Sequence, residues 1–215
     1  MNLKLLVGIK SFIIKNGRFT KRPLIPPNTK LALKKLRLMA DFPPSPAFLN
    51  ILLPAASSLT RLELRTGFGG IWFPKRFNKH LGAIAHQLHH LTMPDPALAS
   101  NGFDLLGFVT SCTSLKSLEL HDYTIHATHK VLAVVPSALD LLEIDLGREW
   151  SQDNDPVAAL LAILELPAAA ELKRWRLTTG KDCVKMAQER ASWEEGCRAR
   201  GVEPRDGRRF FTDLC

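Results

Sequence analysis

One hexapeptide, apolar-x-x-apolar-x-apolar, recurs six times and constrains this chain more than any other feature. It reads LKKLRL from Leu33, LTRLEL from Leu59, LHHLTM from Leu88, LKSLEL from Leu115, LDLLEI from Leu139 and LKRWRL from Leu172. The starts are 26, 29, 27, 24 and 33 residues apart. All 18 pattern positions are apolar, which at a 46% apolar background has a chance of ~10⁻⁶. Of the 18 intervening positions 17 are polar, and Leu141 is the exception. A weaker copy, IKSFII from Ile9, precedes them.

The flanks repeat as well. A small residue or proline sits three places before the first leucine in five copies, as Ala56, Ala85, Cys112, Pro136 and Ala169; Lys30 breaks the rule. Aliphatic stretches at Phe48 to Leu53, Leu105 to Val109, Val131 to Val135 and Val157 to Leu164 read as short helices. Pro54, Pro136 and Pro167 follow three of them, where a helix is expected to stop. Each repeat thus supplies one strand and one helical segment, neither able to bury its apolar side alone. Stacked in parallel, the strands bury a continuous core.

The motif and its spacing resemble the leucine-rich-repeat family over about residues 9–180, and SCTSLKSLEL is similar to the cysteine-containing repeats of fungal F-box/leucine-rich-repeat proteins. The resemblance implies an α/β solenoid, a horseshoe with a parallel sheet of six or seven short strands and helices or helical turns on the convex side. The ninth position, often Asn or Cys in that family, holds Asp41, Gly67, Pro96, Tyr123, Gly147 and Gly180, so the turns must be held otherwise. The expected organisation is a solenoid over 1–180 with an irregular first repeat at about 9–32, a capping helix at 181–202 and a basic tail at 203–215. The stripe Cys183, Met186, Ala187, Trp193 and Cys197 marks the helix, and Gly201 its stop.

Alternation along a strand places the fourth and sixth positions inward and the third, fifth and seventh outward, on the concave face. The outward set comprises Lys35, Arg61, His90, Ser117, Leu141 and Arg174; then Arg37, Glu63, Thr92, Glu119, Glu143 and Arg176; then Met39, Arg65, Pro94, His121, Asp145 and Thr178. The candidate partner-binding residues are Lys35, Arg37, Arg61, Arg65, His90, Glu119, His121, Glu143, Asp145, Arg174 and Arg176. Lys35, Arg37, Arg61 and Arg65 fall on adjacent strands and suit an acidic segment of a partner. Glu63 lies among them and is placed to pair with Arg37 or Arg61. A second candidate is the aromatic patch Phe68, Trp72 and Phe73, in a long insertion beside Lys75 and Arg76.

The net charge of +8 is uneven. Residues 1–43 carry ten basic residues and one acid, residues 44–166 eight and twelve, and residues 167–215 eleven and eight. Basic ends permit nucleic-acid binding as an alternative reading, but no nucleic-acid signature accompanies them. Lys10 cuts the N-terminal apolar run too short for a secretory signal; a basic, acid-poor start is shared with mitochondrial presequences. No apolar stretch suits a membrane span. An intracellular home, cytoplasmic or nuclear, is expected, with four free cysteines.

Chemistry is hard to find. Gly180-Lys181 lacks the preceding glycine and following hydroxyl of a phosphate loop, and Trp72 occupies the third glycine position after Gly67 and Gly69. His86 with His89 and His126 with His129 have spacings that chelate zinc on a helix, but no cysteine or carboxylate completes a ligand set. The sequence therefore predicts no catalytic residue, metal or cofactor. It points to a non-enzymatic protein-recognition scaffold, with a truncated or vestigial structural protein as the alternative. The F-box resemblance extends this to the substrate-recognition part of a ubiquitin-ligase adaptor. No F-box pattern is found in the chain, so a Skp1-type partner is implied only if an F-box is supplied elsewhere.

Overall fold

The computed structural model describes residues 8–15, 29–40, 45–66, 77–94, 104–146, 155–179 and 187–206. The chain divides into two compact units, Met1–Leu115 and Lys116–Cys215. The repeat pattern does not announce this division, because LKSLEL runs straight across it.

The first unit holds strands β1 (Ser11–Lys15), β2 (Lys35–Ala40), β3 (Arg61–Thr66) and β4 (His90–Met93), with helices α1 (Pro46–Ala55), α2 (Phe77–Ala85) and α3 (Leu105–Thr110). All neighbouring strands run parallel. Their register follows the motif: Phe12, Leu36, Leu62 and Leu91 form one cross-strand row, and Ile14, Leu38 and Leu64 another. Apart from Phe12, half-buried at the edge, every member is sealed from solvent. The weak copy from Ile9 is therefore a true repeat in register with the rest. Backbone geometry repeats too. The carbonyl at the second motif position takes two N–H groups from the next repeat: Lys10 O accepts from Lys34 and Lys35, Lys34 O from Thr60 and Arg61, and Thr60 O from His89 and His90.

The small residues three places before the motif have a physical role. Ala56, Ala85 and Cys112 are fully buried where a helical segment ends, and their carbonyls accept the N–H of Leu59, Leu88 and Leu115. Helix α1 starts at Pro46 behind Ser45, whose Oγ accepts from Phe48 N at 3.2 Å. It buries Phe48, Leu49, Leu52 and Leu53. Pro54 does not end it as expected; the helix runs on to Ala55. Pro54 and Asn50, whose carbonyl loses its donor, are both exposed, so water can take the place of the missing bond.

The second unit holds β5 (Ser117–Tyr123), α4 (Ile125–Leu132), β6 (Leu141–Leu146), α5 (Pro156–Leu161), β7 (Arg174–Thr179), α6 (Ala187–Ala199) and β8 (Glu203–Asp206). Its strands are also parallel, and Leu118, Leu142 and Trp175 form the first inward row, Leu120, Ile144 and Leu177 the second. After Leu120 the register slips: three residues of β5 lead to Tyr123 where two of β6 lead to Leu146. Asp122, at φ 57°, absorbs the extra residue and turns Tyr123 into the core. Of the ninth-position residues, Tyr123 alone lies among the described residues.

Helix α4 lies earlier than the stretch Val131 to Val135 suggests, because Thr124 caps it by accepting from Ala127 N at 3.0 Å. The expected helix Val157 to Leu164 is α5 followed by a 3₁₀ turn at Ala162–Glu165. Leu166 is then extended, as the residue before Pro167 must be. At Ala169 the small-residue rule holds again, with its carbonyl accepting from Leu172 N. Pro136 is exposed instead, and Leu139 N turns to Ala168 O of the next repeat.

The stripe expected at 181–202 is seen in part: Trp193 and Cys197 of α6 are buried, whereas Cys183 and Met186 lie outside the described residues. Trp193 meets Trp175 edge to face, with centroids 5.4 Å apart at 85°. Gly201, at φ 73°, stops the helix: its N–H donates to Arg198 O, and Val202 N to Cys197 O. Strand β8 follows within the segment read as a basic tail, and adds to the six or seven strands that the motif predicts. It escapes the pattern because its inward positions hold Pro204 and Asp206, opposite Trp175 and Leu177. Pro204 is tolerated because Glu203 N already bonds to Lys173 O and the ladder alternates, so the proline nitrogen faces away from β7.

These rows predict that Leu118→Asp loses the cooperative thermal transition, since a carboxylate would be forced into an apolar row at a cost of several kcal/mol. Leu118→Ala should keep the fold and lose about 2–5 kcal/mol in urea unfolding. A Leu118→Asp melt like the parent's would refute the inward assignment.

Candidate functional site

Along the outward positions of the first unit, the register sets Lys35 beside Arg61 and Arg61 beside His90, Arg37 beside Glu63 and Glu63 beside Thr92, and Met39 beside Arg65. Neighbouring strands lie ~4.8 Å apart, so long side chains from β2 and β3 can meet. They meet on Glu63. Lys35 Nζ stands 2.7 Å from Glu63 Oε1, and Arg61 Nε donates to the same oxygen at 2.8 Å. Arg37 Nε donates to Oε2, and Arg65 Nε stands 4.0 Å from it.

The outward position of Glu63 led to the expectation of an exposed side chain with one arginine partner. Instead it is 0% exposed, and the four cations, between 27% and 41% exposed, form its cover. Their aliphatic stems exclude water while their heads supply the charge. Burial alone would raise the carboxyl's pKa. Hydrogen bonds from Arg37 and Lys35, with the charges of Arg37 and Arg61, outweigh that and hold it at about 2. Glu63 is thus an ionised group at neutral pH, and the surrounding patch keeps three positive charges in excess. His90 lies on β4, where desolvation, then Arg61 and His89, lower its pKa.

In the second unit the charged outward residues among those described stand in pairs. Arg176 Nη1 donates to Glu143 Oε2 at 2.9 Å. His121 lies between Glu119, 2.8 Å from Nε2, and Asp145, 3.8 Å from Nδ1. Arg174 faces Glu203 at 3.8 Å, and Arg205 meets the same carboxylate at 3.0 Å. The acids at Glu119, Glu143 and Asp145 therefore each have a basic neighbour, rather than forming a bare negative stretch.

Outward residues of β1 and β8 escaped the sequence reading. Ile13, 43% exposed, lies beside Arg37, and its place at the fifth position of the weak first copy was the available signal. Glu203 on β8 had none. The aromatic patch Phe68, Trp72 and Phe73 falls outside the described residues.

The other titratable groups are quieter. His129 shares a 2.8 Å hydrogen bond with the Ala159 carbonyl, while His126 is exposed, so this pair does not converge. His86 and His89 are exposed in the turn before β4. Among the described residues no group of three His, Cys, Asp or Glu is arranged to hold a metal ion. Cys112 and Cys197 are free and buried, and burial pushes both thiols up to about 12. No helix among the described residues is long and apolar enough to cross a membrane.

No family model and no curated protein sequence matches the chain. Among solved structures it is similar to the leucine-rich repeat-containing protein LegL7 from Legionella pneumophila, at 19% identity and a TM-score of 0.52. The likeness covers 77% of this chain and 53% of that one, so the chain spans about half the length of that protein. At this identity the likeness is one of fold. It establishes the α/β leucine-rich-repeat architecture and carries no F-box relationship.

The depressed Glu63 pKa has a consequence for acid stability. A lowered folded-state pKa stabilises above the unfolded value near 4.5 and is lost as pH falls through about 2. Urea unfolding between pH 6 and pH 2 should show a loss of at most about 3 kcal/mol in that window, reduced by solvent screening of the partly exposed cations. Glu63→Gln should be less stable at pH 6 and should flatten the profile. An unchanged profile in that variant would remove Glu63 from the account.

Proposed function

We propose that the chain is a non-enzymatic recognition scaffold that holds an anionic segment of a protein partner on the outward faces of β2 and β3. The observation that carries this reading is the gathering of Lys35, Arg37, Arg61 and Arg65 around one buried carboxylate, which leaves the patch positive and its side chains fixed. The repeat fold supports it, because parallel strands set outward side chains in rows that an extended segment can follow. The narrower role, substrate recognition within a ubiquitin ligase with the F-box supplied elsewhere, rests on the sequence resemblance alone. His90 and, on the second unit, Glu119, His121, Glu143, Asp145, Arg174 and Arg176 are proposed to contribute to selectivity.

The test is binding of a labelled oligoglutamate peptide by fluorescence anisotropy at about 50 and about 200 mM salt. Affinity should fall as salt rises. The double variant Lys35→Gln/Arg65→Gln, which spares both Nε–H donors that bond Glu63, should bind about tenfold more weakly at low salt. Equal affinity for parent and double variant at low salt would remove this face as the binding surface.

A further inference from the structure

The hydrogen bonds to Glu63 use only part of the arginine donor set. A guanidinium carries five N–H groups, one on Nε and four on the terminal amino groups. Arg37 and Arg61 each spend Nε on Glu63, one on each carboxylate oxygen. Among the described residues neither arginine makes another hydrogen bond, and their side chains remain 27% and 41% exposed. The amino groups lie beyond Nε, further from the backbone than the bond that anchors each fork. Lys35 Nζ is fixed on the same carboxylate at 2.7 Å. Three donors from two strands are therefore held together by one buried group before any ligand arrives, which reduces the ordering cost of binding.

The charge selects among anions. A single carboxylate would neutralise one of three excess charges and occupy one fork. A phosphomonoester carries about −1.5 to −2 at neutral pH and offers three acceptor oxygens, enough for two forks and an ammonium at once. The donors sit on an open sheet face, which suits a group carried on an extended segment better than a small molecule that needs enclosure.

On the reading above, that this face holds an anionic protein segment, we propose that Arg37, Arg61 and Lys35 form a receptor for the phosphoryl group of a phosphorylated serine or threonine in the partner. Glu63 is the positioning residue that aligns them. The assignment separates positioning from simple attraction. Removing the Glu63 charge makes the patch more positive, yet it should weaken phosphoryl binding because the forks lose their anchor.

The probes are labelled glycine-rich peptides, identical except for a central phosphoserine, glutamate or serine, with inorganic phosphate as competitor. The phosphoserine peptide should bind at least about tenfold more tightly than the glutamate peptide, and serine weakest. Arg37→Lys and Arg61→Lys keep the charge and remove the fork; each should cost about tenfold for phosphoserine and far less for glutamate. Glu63→Gln should weaken phosphoserine binding despite its extra positive charge. Should that variant fail to fold, the two lysine variants carry the test, with circular dichroism confirming their folding. Equal binding of phosphoserine and glutamate overturns the phosphoryl receptor and leaves the acidic-segment reading standing. Absence of binding by either peptide overturns both. Inorganic phosphate that competes as tightly as the phosphopeptide binds replaces the partner segment with a free anion. Tighter phosphoserine binding by folded Glu63→Gln overturns the positioning role.

Discussion

Leu36, Leu62 and Leu91 stand side by side on three parallel strands, each sealed from solvent, with Leu38 and Leu64 in the next inward row. Everything else in the first unit follows from that registration. Side chains alternate with a period of two, so a slip of one residue would expose every leucine and bury the lysines and arginines between them. Once the leucines are locked inward, the outward residues have no freedom of placement. Lys35 must lie beside Arg61, and Arg37 beside Glu63.

That forced convergence creates an electrostatic problem, and Glu63 resolves it. Arg37 and Arg61, with Lys35 between them, would repel one another across two strands. A single carboxylate within reach of all of them turns the repulsion into a network. Its cover of cations removes it from water, which strengthens each interaction but makes the loss of any partner costly. The result is asymmetric: the acid is spent inside the cluster, while much of the arginine donor capacity faces solvent. In the second unit the same positions are balanced differently. Arg176 answers Glu143, and His121 lies between two acids, so that face holds no comparable excess.

The repeat made most of the architecture legible. Six motif copies located six strands, and the weak copy from Ile9 located a seventh. Of the small residues or prolines before five of the motifs, Ala56, Ala85, Cys112 and Ala169 marked where helical segments end, and Pro136 did not. What the pattern missed has physical causes. Strand β8 pairs through its backbone while Pro204 and Asp206 hold its inward positions, so no leucine betrays it. Helix α4 begins where Thr124 caps it, and a capping hydroxyl weighs less in an apolar pattern than the valines downstream. The convergence of Lys35, Arg37, Arg61 and Arg65 was legible because aligning the motifs aligns the outward positions. The burial of Glu63 was not, because it depends on how four flexible side chains fold over one short acid.

The cation cluster depends on Glu63 being charged while sealed from water. Its carboxyl carbon chemical shift, followed by NMR in selectively labelled protein from pH 7 downward, reads that directly. The carboxylate should stay ionised through the ordinary glutamate range and titrate only at about 2, or on acid unfolding if that comes first. A carboxyl in the folded protein that takes up its proton at or above 4.5 would contradict it, because burial would then outweigh the cations that surround it.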